Sequence, residues 1–289
     1  MTLIGWRKSL MKIHEILDRF EKLYPNNSII MDMRRAYIDK DLNSIFRIVE
    51  SNNKEDLRKL ICESNYQSLW RLLETYCNTR LATSLKYFYN EEIKIAEDCF
   101  SQGQVQSKSW LVKELSKLDL NLGTVFLCAG WYGTLATLIF ENHRIQVDKI
   151  RSFDIDESCW KIAEVFNKPW VMKDWKFKSS TKDIMDLTYD VDTYSTIKKN
   201  GDIQELTESP DTIINTSCEH IADFDTWYNK ISSGKIVILQ SNNYIGLPEH
   251  VNCSKTLKDF NNKTPMQEVL FQGELYLDKY SRYMRIGVK

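Results

Sequence analysis

Apolar residues recur at helical spacing from Lys8 to about Leu118. Met11, Ile13, Ile16, Leu17, Phe20 and Leu23 mark a first helix, and Leu57, Leu60 and Ile61 a later one. Trp70, Leu72, Leu73, Tyr76, Leu81, Leu85, Tyr87 and Phe88 continue the three-and-four repeat of a helix with one buried face. Glycine and proline hardly occur: Pro25-Asn26-Asn27 makes the first break and Ser101-Gln102-Gly103 the last. Residues 1–118 therefore predict a helical domain of about five or six helices. The loop from Gly103 leads into a last helix over Trp110–Leu118.

Beyond residue 120 the texture changes to short β-rich runs alternating with helical ones, the mark of parallel βαβ units. Strands are expected at Thr124–Ala129, Lys149–Ile155, Trp170–Phe177, Asp211–Thr216 and Lys235–Gln240, with helices at Gly133–Asn142, Glu157–Asn167 and Phe224–Ile231. Glu268–Leu277 and Tyr280–Val288 read as a terminal hairpin. Thr188–Ser209 is polar and aperiodic, and reads as a loop over one edge of the sheet. The fold class is α/β, with residues 119–289 forming the α/β domain behind the helical one.

Composition narrows the function classes. The 289 residues are 43% hydrophobic and 27% charged, which fits a compact globular protein. Net charge is -1, with neither half a polycation, so no basic field points to nucleic acid or to an anionic membrane. Seven cysteines without a Cys-x-x-Cys pair argue for reduced thiols in a cytosol-like, cytoplasmic setting. Cys218, His220, His250 and Cys253 can supply four metal ligands, but their spacing is not that of a zinc finger, and no metal is expected. The start Met1–Trp6 is too short for a signal peptide. Leu122–Phe140 runs 19 residues without a charge, yet its glycines and threonines suit a buried strand, turn and helix better than a membrane span.

The chemistry-bearing positions fall at strand ends. Thr124–Ala129 runs into Gly130-Trp131-Tyr132-Gly133, a strand-to-helix turn where glycine lets a ligand approach the backbone. The second strand ends in Asp154-Ile155-Asp156, about 20 residues after Gly133, the spacing between a nucleoside-binding turn and its ribose acid. Taken alone, the glycines also suit tight strand–helix packing, and Asp154 or Asp156 a helix cap. Asn215-Thr-Ser-Cys-Glu-His220 ends the fourth strand in polar and ionisable groups, where open α/β sheets carry catalysis. Glu219 and His220 are candidates for a general base and its orienting group. Gln240–Tyr244 and Glu249-His250 form a second polar strand end beside it. Cys218 with His220 as its base is a further, nucleophilic option.

In order along the chain, the glycine turn, the second-strand acid, Lys182–Asp186 and Asn215–His220 resemble the class I S-adenosylmethionine-dependent methyltransferases over residues 104–289. The resemblance implies a Rossmann-like, mostly parallel seven-stranded sheet ending in an antiparallel hairpin, with S-adenosylmethionine across its switch point. It places Ala129, Gly130 and Gly133 along the methionine moiety, Asp154 on the ribose, Ile155 beside the adenine and Asp183 at the adenine amino group. Gln104 and Lys108 then reach the cofactor's carboxylate, and Asn215 faces the sulfonium. Two positions depart from the family pattern: the first strand carries no acid, and Ala-Gly-Trp-Tyr-Gly replaces Gly-x-Gly-x-Gly. Methyl transfer to a small polar molecule or a protein side chain is the activity implied. Duplex DNA is disfavoured by the charge balance and because the strand-four motif is not Asp-Pro-Pro-Tyr. A binding protein on the same fold and an aminocarboxypropyl transferase are the alternatives.

Overall fold

The computed structural model describes residues 96–289, apart from position 199, together with positions 18, 25, 26, 31 and 35. Those isolated positions aside, the helical pattern expected before residue 96, with Trp70, Tyr76, Tyr87, Phe88 and Tyr89, lies outside the described residues. The chain divides into units Met1–Lys86 and Tyr87–Lys289, and every strand of the sheet belongs to the second.

Helix α1 (Gln102–Leu115) precedes the sheet. The strands are β1 (Thr124–Cys128), β2 (Lys149–Asp154), β3 (Phe177–Thr181), β4 (Asp192–Ile197), β5 (Ile203–Glu208), β6 (Thr212–Asn215), β7 (Ile236–Asn242), β8 (Glu268–Tyr276) and β9 (Ser281–Val288). Between them lie α2 (Thr134–Glu141), α3 (Cys159–Phe166), α4 (Lys168–Met172), α5 (Phe224–Lys230) and α6 (Leu257–Lys263). Seven strands form one sheet in the order β3-β2-β1-β6-β7-β9-β8. Neighbours from β3 to β7 run parallel, and β9 pairs antiparallel with both β7 and β8. This is the Rossmann-like, mostly parallel sheet with a terminal hairpin that the sequence predicts.

The central strands explain themselves. Val125 and Leu127 point to one face and Phe126 and Cys128 to the other, all within 2% of complete burial, because helices cover both faces. On the first face they meet Leu111 and Leu115 of α1, Leu135 and Ile139 of α2, and Ala163 of α3. On the second they meet Phe224, Trp227 and Tyr228 of α5 and Phe260 of α6. The apolar stretch Leu122–Phe140 is thus β1, a turn and most of α2. No helix among the described residues is long and apolar enough to cross a membrane.

Three expectations are corrected. Trp170–Phe177 is not the third strand. Pro169 suits the first turn of α4, and adjacent Trp170 and Val171 are both buried, as on a helix face. After left-handed Asp174 and Trp175 the strand comes at β3. Its polar residues can be buried because Lys178 pairs with Glu164 at 2.5 Å and donates to the Ile197 carbonyl at 2.7 Å. Thr188–Ser209 is no loop: β4 and β5 form an antiparallel ribbon. Glu208 anchors it to the sheet, accepting from Arg151 at 2.6 Å, from Lys149 at 2.7 Å and from the Tyr194 hydroxyl. The helix expected from Trp110 begins at Gln102, where Ser101 caps it through the Gln104 amide.

Candidate functional site

Strand order reverses between β1 and β6, so the crevice at their carboxyl ends is the topological switch point of the sheet. Cys128 and Asn215 lie side by side there. The turn leaving β1 is contorted: Ala129 and Trp131 hold φ of 49° and Gly133 of 64°. For the two residues with side chains this left-handed backbone costs about 1 kcal/mol each, a strain that concentrates at functional turns. The Trp131 amide donates to Asp154 Oδ2 at 2.8 Å, and the Asp156 amide to Asp154 Oδ1 at 3.1 Å. The glycine turn and the acid ending the neighbouring strand therefore meet. Each carboxylate oxygen keeps a lone pair beyond these bonds. Burial pushes the Asp154 carboxyl above its ordinary range, against the pull of the two amides. Beside it Ile155 is 72% exposed, a bare apolar face next to a polar acceptor. Asp183 caps the short turn at Ile184–Asp186 by accepting from the Met185 amide at 2.8 Å.

The glycines themselves face protein. A Cβ on Gly130 would stand 2.1 Å from Ser152 Oγ, and one on Gly133 2.8 Å from Asn167 Nδ2. Their missing side chains make room for Ser152, Asn167 and Phe177 of the second and third βα units.

The other strand ends surround a cavity of about 360 Å³, lined among others by Gln104, Glu219, His220, Asn242, His250 and Arg282. Glu219 is 2% exposed and lies in the short turn Cys218–His220. Its Oε1 accepts from Asn242 Nδ2 at 2.6 Å and from Arg282 Nη1 at 3.0 Å, while its buried Oε2 has no partner. His220 is exposed, and its Nδ1 lies 2.9 Å from the Glu249 carbonyl. The His250 Nδ1 lies 2.9 Å from the Tyr244 carbonyl. A carbonyl only accepts, so both rings carry hydrogen on Nδ1 and present Nε2 as a lone pair. The two rings meet edge to face with centroids 4.8 Å apart.

Asn215, fully buried, accepts the Ser217 amide at 2.8 Å and leaves its Nδ2 without a partner. Gln104 and Lys108 lie inside α1 rather than on a loop, and the Lys108 ammonium donates to Gln104 Oε1. Lys108 is 8% exposed; burial and then the Arg282 charge push its pKa down to about 8. Cys218 is fully buried, and burial pushes its thiol well above the ordinary range, as does the Glu219 charge, which argues against the nucleophilic option. Of the four ligands weighed from sequence, only the histidines come together, while Cys253 is spent on Asn242 Oδ1 and the Tyr244 carbonyl.

Sequence reasoning missed Arg282 and the role of Asn242 as the pair that fixes Glu219. A signal existed. Arg282 and Arg285 interrupt an otherwise apolar strand, and both are 5% exposed, so each is a charge buried for a partner. Arg285 serves the Thr264 hydroxyl at 2.9 Å, Arg282 the site.

No protein-family model matches the chain, and no curated protein does. Among solved structures it is similar to the N-methyltransferase NodS from Bradyrhizobium japonicum WM9 bound to S-adenosyl-L-homocysteine, with 10% identity, coverage of 71% of this chain and 97% of that one, and a TM-score of 0.46. It is also similar to YcgJ from Bacillus subtilis, with 10% identity over 64% of this chain and 98% of that one, at a TM-score of 0.42. A geranyl diphosphate methyltransferase in complex with GPP and sinefungin aligns at 8% identity over 64% and 77% of the two chains, with a TM-score of 0.43. The sheet order and the contacts of Asp154, not these likenesses, bear on the chemistry of the site.

Proposed function

We propose that this chain is an S-adenosylmethionine-dependent methyltransferase whose cofactor lies along the carboxyl ends of β1, β2 and β3, with a small polar molecule or a protein side chain as acceptor in the cavity beyond β6 and β7. The observation that carries the reading is the carboxylate of Asp154, held 2.8 Å from the turn after β1 at the switch point of a seven-stranded sheet that ends in an antiparallel pair. Those are the features the sequence resemblance implies.

The residues suit a nucleoside cofactor. Asp154 has lone pairs for two ribose hydroxyls. Ile155 offers an uncovered apolar face to an adenine, and Asp183 keeps one oxygen for an exocyclic amine. Ala129, Gly130 and Gly133 offer backbone, and Lys108 with Gln104 a buried cation for a carboxylate. S-adenosylmethionine supplies, when bound, an electrophilic methyl group. The chain contributes alignment and a place for the acceptor's proton. Asn215 stands between the two halves of the site with an unspent amide donor to orient the acceptor. Glu219, fixed by Arg282, orients rather than moves, and with His220 it lines the cavity into which the acceptor's proton leaves. A non-catalytic binding protein is the second reading, favoured by the filled Cβ positions of Gly130 and Gly133.

Calorimetric titration of the intact chain with S-adenosylmethionine and S-adenosylhomocysteine separates the two, since a ligand bound only by the folded state also raises its melting temperature. Saturable binding, lost in Asp154→Ala and kept in His220→Ala, is expected. No binding at millimolar cofactor sinks the proposal.

A further inference from the structure

Glu219, His220 and His250 come from two loops at neighbouring strand ends, and one ligand atom of each lies within 4.8 Å of those of the other two. We propose that these three side chains bind a first-row divalent cation such as Mn²⁺, Co²⁺ or Zn²⁺. The ligands are prepared as metal ligands are. Each imidazole spends Nδ1 on a backbone carbonyl at 2.9 Å, which fixes the ring and turns the Nε2 lone pair outward, the usual support behind a ligating histidine. Glu219 is oriented through one oxygen by Asn242 and Arg282, leaving the other bare. That Oε2 is buried and has no hydrogen-bond partner. With a cation it has its partner.

The donor set chooses the metal. Two nitrogens and one carboxylate suit first-row ions, whereas Ca²⁺ and Mg²⁺ want oxygen. Half of the single carboxylate is also committed to Arg282, which weakens the site further for a hard ion that depends on negative charge. Ligand atoms at about 2.1 Å from an ion stand roughly 3–4 Å apart, so the cluster must close by about 1–2 Å. The exposed His220 ring can supply that movement. Three protein ligands leave positions open toward the cavity, the arrangement of a reactive rather than a structural site. Cation binding does not depend on the cofactor. That the open positions take oxygen or nitrogen donors of a methyl acceptor does rest on the proposed methyltransferase function.

The test uses the intact chain, stripped with chelator and titrated with Co²⁺ alone, reading the visible absorption bands that report nitrogen and oxygen ligation, with Zn²⁺ in competition. One ion per chain is expected. His250→Ala and His220→Ala should each weaken it at least ~10-fold, the minimum effect of disturbing such a site. His143→Ala, on the exposed loop after α2, should leave it unchanged. Glu219→Gln should behave like the histidine variants, and the two histidine variants decide the matter if burial of Arg282 without its partner prevents Glu219→Gln from folding. Binding below half an ion per chain at ~100 µM metal, far above the affinities of built sites, or equal loss in His143→Ala and His250→Ala, overturns the assignment. Cofactor titration of the same samples keeps the proposals apart: cation without cofactor removes the methyltransferase, cofactor without cation removes the metal.

Discussion

Gly130 sits in the turn read from sequence as a ligand cradle, yet its missing Cβ would meet Ser152 Oγ at 2.1 Å and Leu127 Cγ at 3.1 Å. Gly130→Ala must therefore move the β2 backbone or the Ser152 side chain by about 1 Å in a fully packed layer, an overpacking cost of about 2 kcal/mol. In a unit spanning Tyr87–Lys289 that lowers the melting temperature by about 4–8 °C. The obstacle is one atom. Ser152 Oγ is buried and makes no hydrogen bond, so Ser152→Ala alone forfeits nothing and should leave stability unchanged or slightly improved. The double variant Gly130→Ala, Ser152→Ala keeps only the Leu127 contacts, which relax by a few tenths of an ångström, and should recover more than half of the loss. Differential scanning calorimetry on the four proteins reads the cycle, with cofactor titration alongside. If Gly130→Ala keeps its melting temperature but loses cofactor, or if Ser152→Ala does not rescue it, the glycine serves ligand approach and the packing argument is wrong.

Glu208 gives a pH prediction. Burial pushes its carboxyl up, but hydrogen bonds from Arg151, Lys149 and Tyr194 outweigh this and hold it at about 2, against 4.5 for the free group. A depressed carboxyl contributes stability above the unfolded value that is lost as pH falls through the folded one, here at most about 3 kcal/mol between pH 4.5 and 2. Glu208→Gln should melt lower at pH 7 and show a flatter fall of melting temperature with acid; parallel curves would refute the pairing. Lys108, lowered to about 8 by burial, has the opposite sense: its buried charge opposes folding below that pH, and wild-type stability rises between pH 8 and 10.5 as the folded state sheds the proton first. Lys108→Met should therefore melt higher at pH 7, lose that rise, and bind the cofactor's carboxylate less well, while a lower melting temperature contradicts it. Thiol labelling of the native protein and peptide mapping should find half-buried Cys253 modified well before Cys218 and Cys128, whose thiols burial holds far above neutrality.

How legible each element is in the sequence depends on where its burial comes from. Val125–Cys128 and Ile213-Ile214 are apolar runs because both faces of a central parallel strand are covered, and that signal survives without structure. Phe177–Thr181 hides a buried strand in Lys-Ser-Ser, since its burial depends on Glu164 and on the ribbon Asp192–Glu208, partners that no local pattern reveals. Ser101 is a readable cap three residues before Gln104, but the glycine at position 103 masks it.

The same distinction separates the two halves of the candidate site. Asp154 and the turn at Gly130 are joined by a single βαβ unit, so their meeting is dictated by order along the chain, and the 2.8 Å bond between them needed only that one crossover. Glu219 could be singled out as an ionisable residue at a strand end, but its environment comes from Asn242 at the end of β7, His250 on the loop after it and Arg282 on the antiparallel β9, which are 23 to 63 residues away. Whether a carboxylate is a base, an ion-pair partner or a metal ligand depends on those neighbours and not on its own position in the sequence. Arg282 ties one oxygen of Glu219, and a ligand nitrogen of each imidazole lies within 4.8 Å of a Glu219 carboxylate oxygen, an arrangement that suits the proposed cation better than proton transfer.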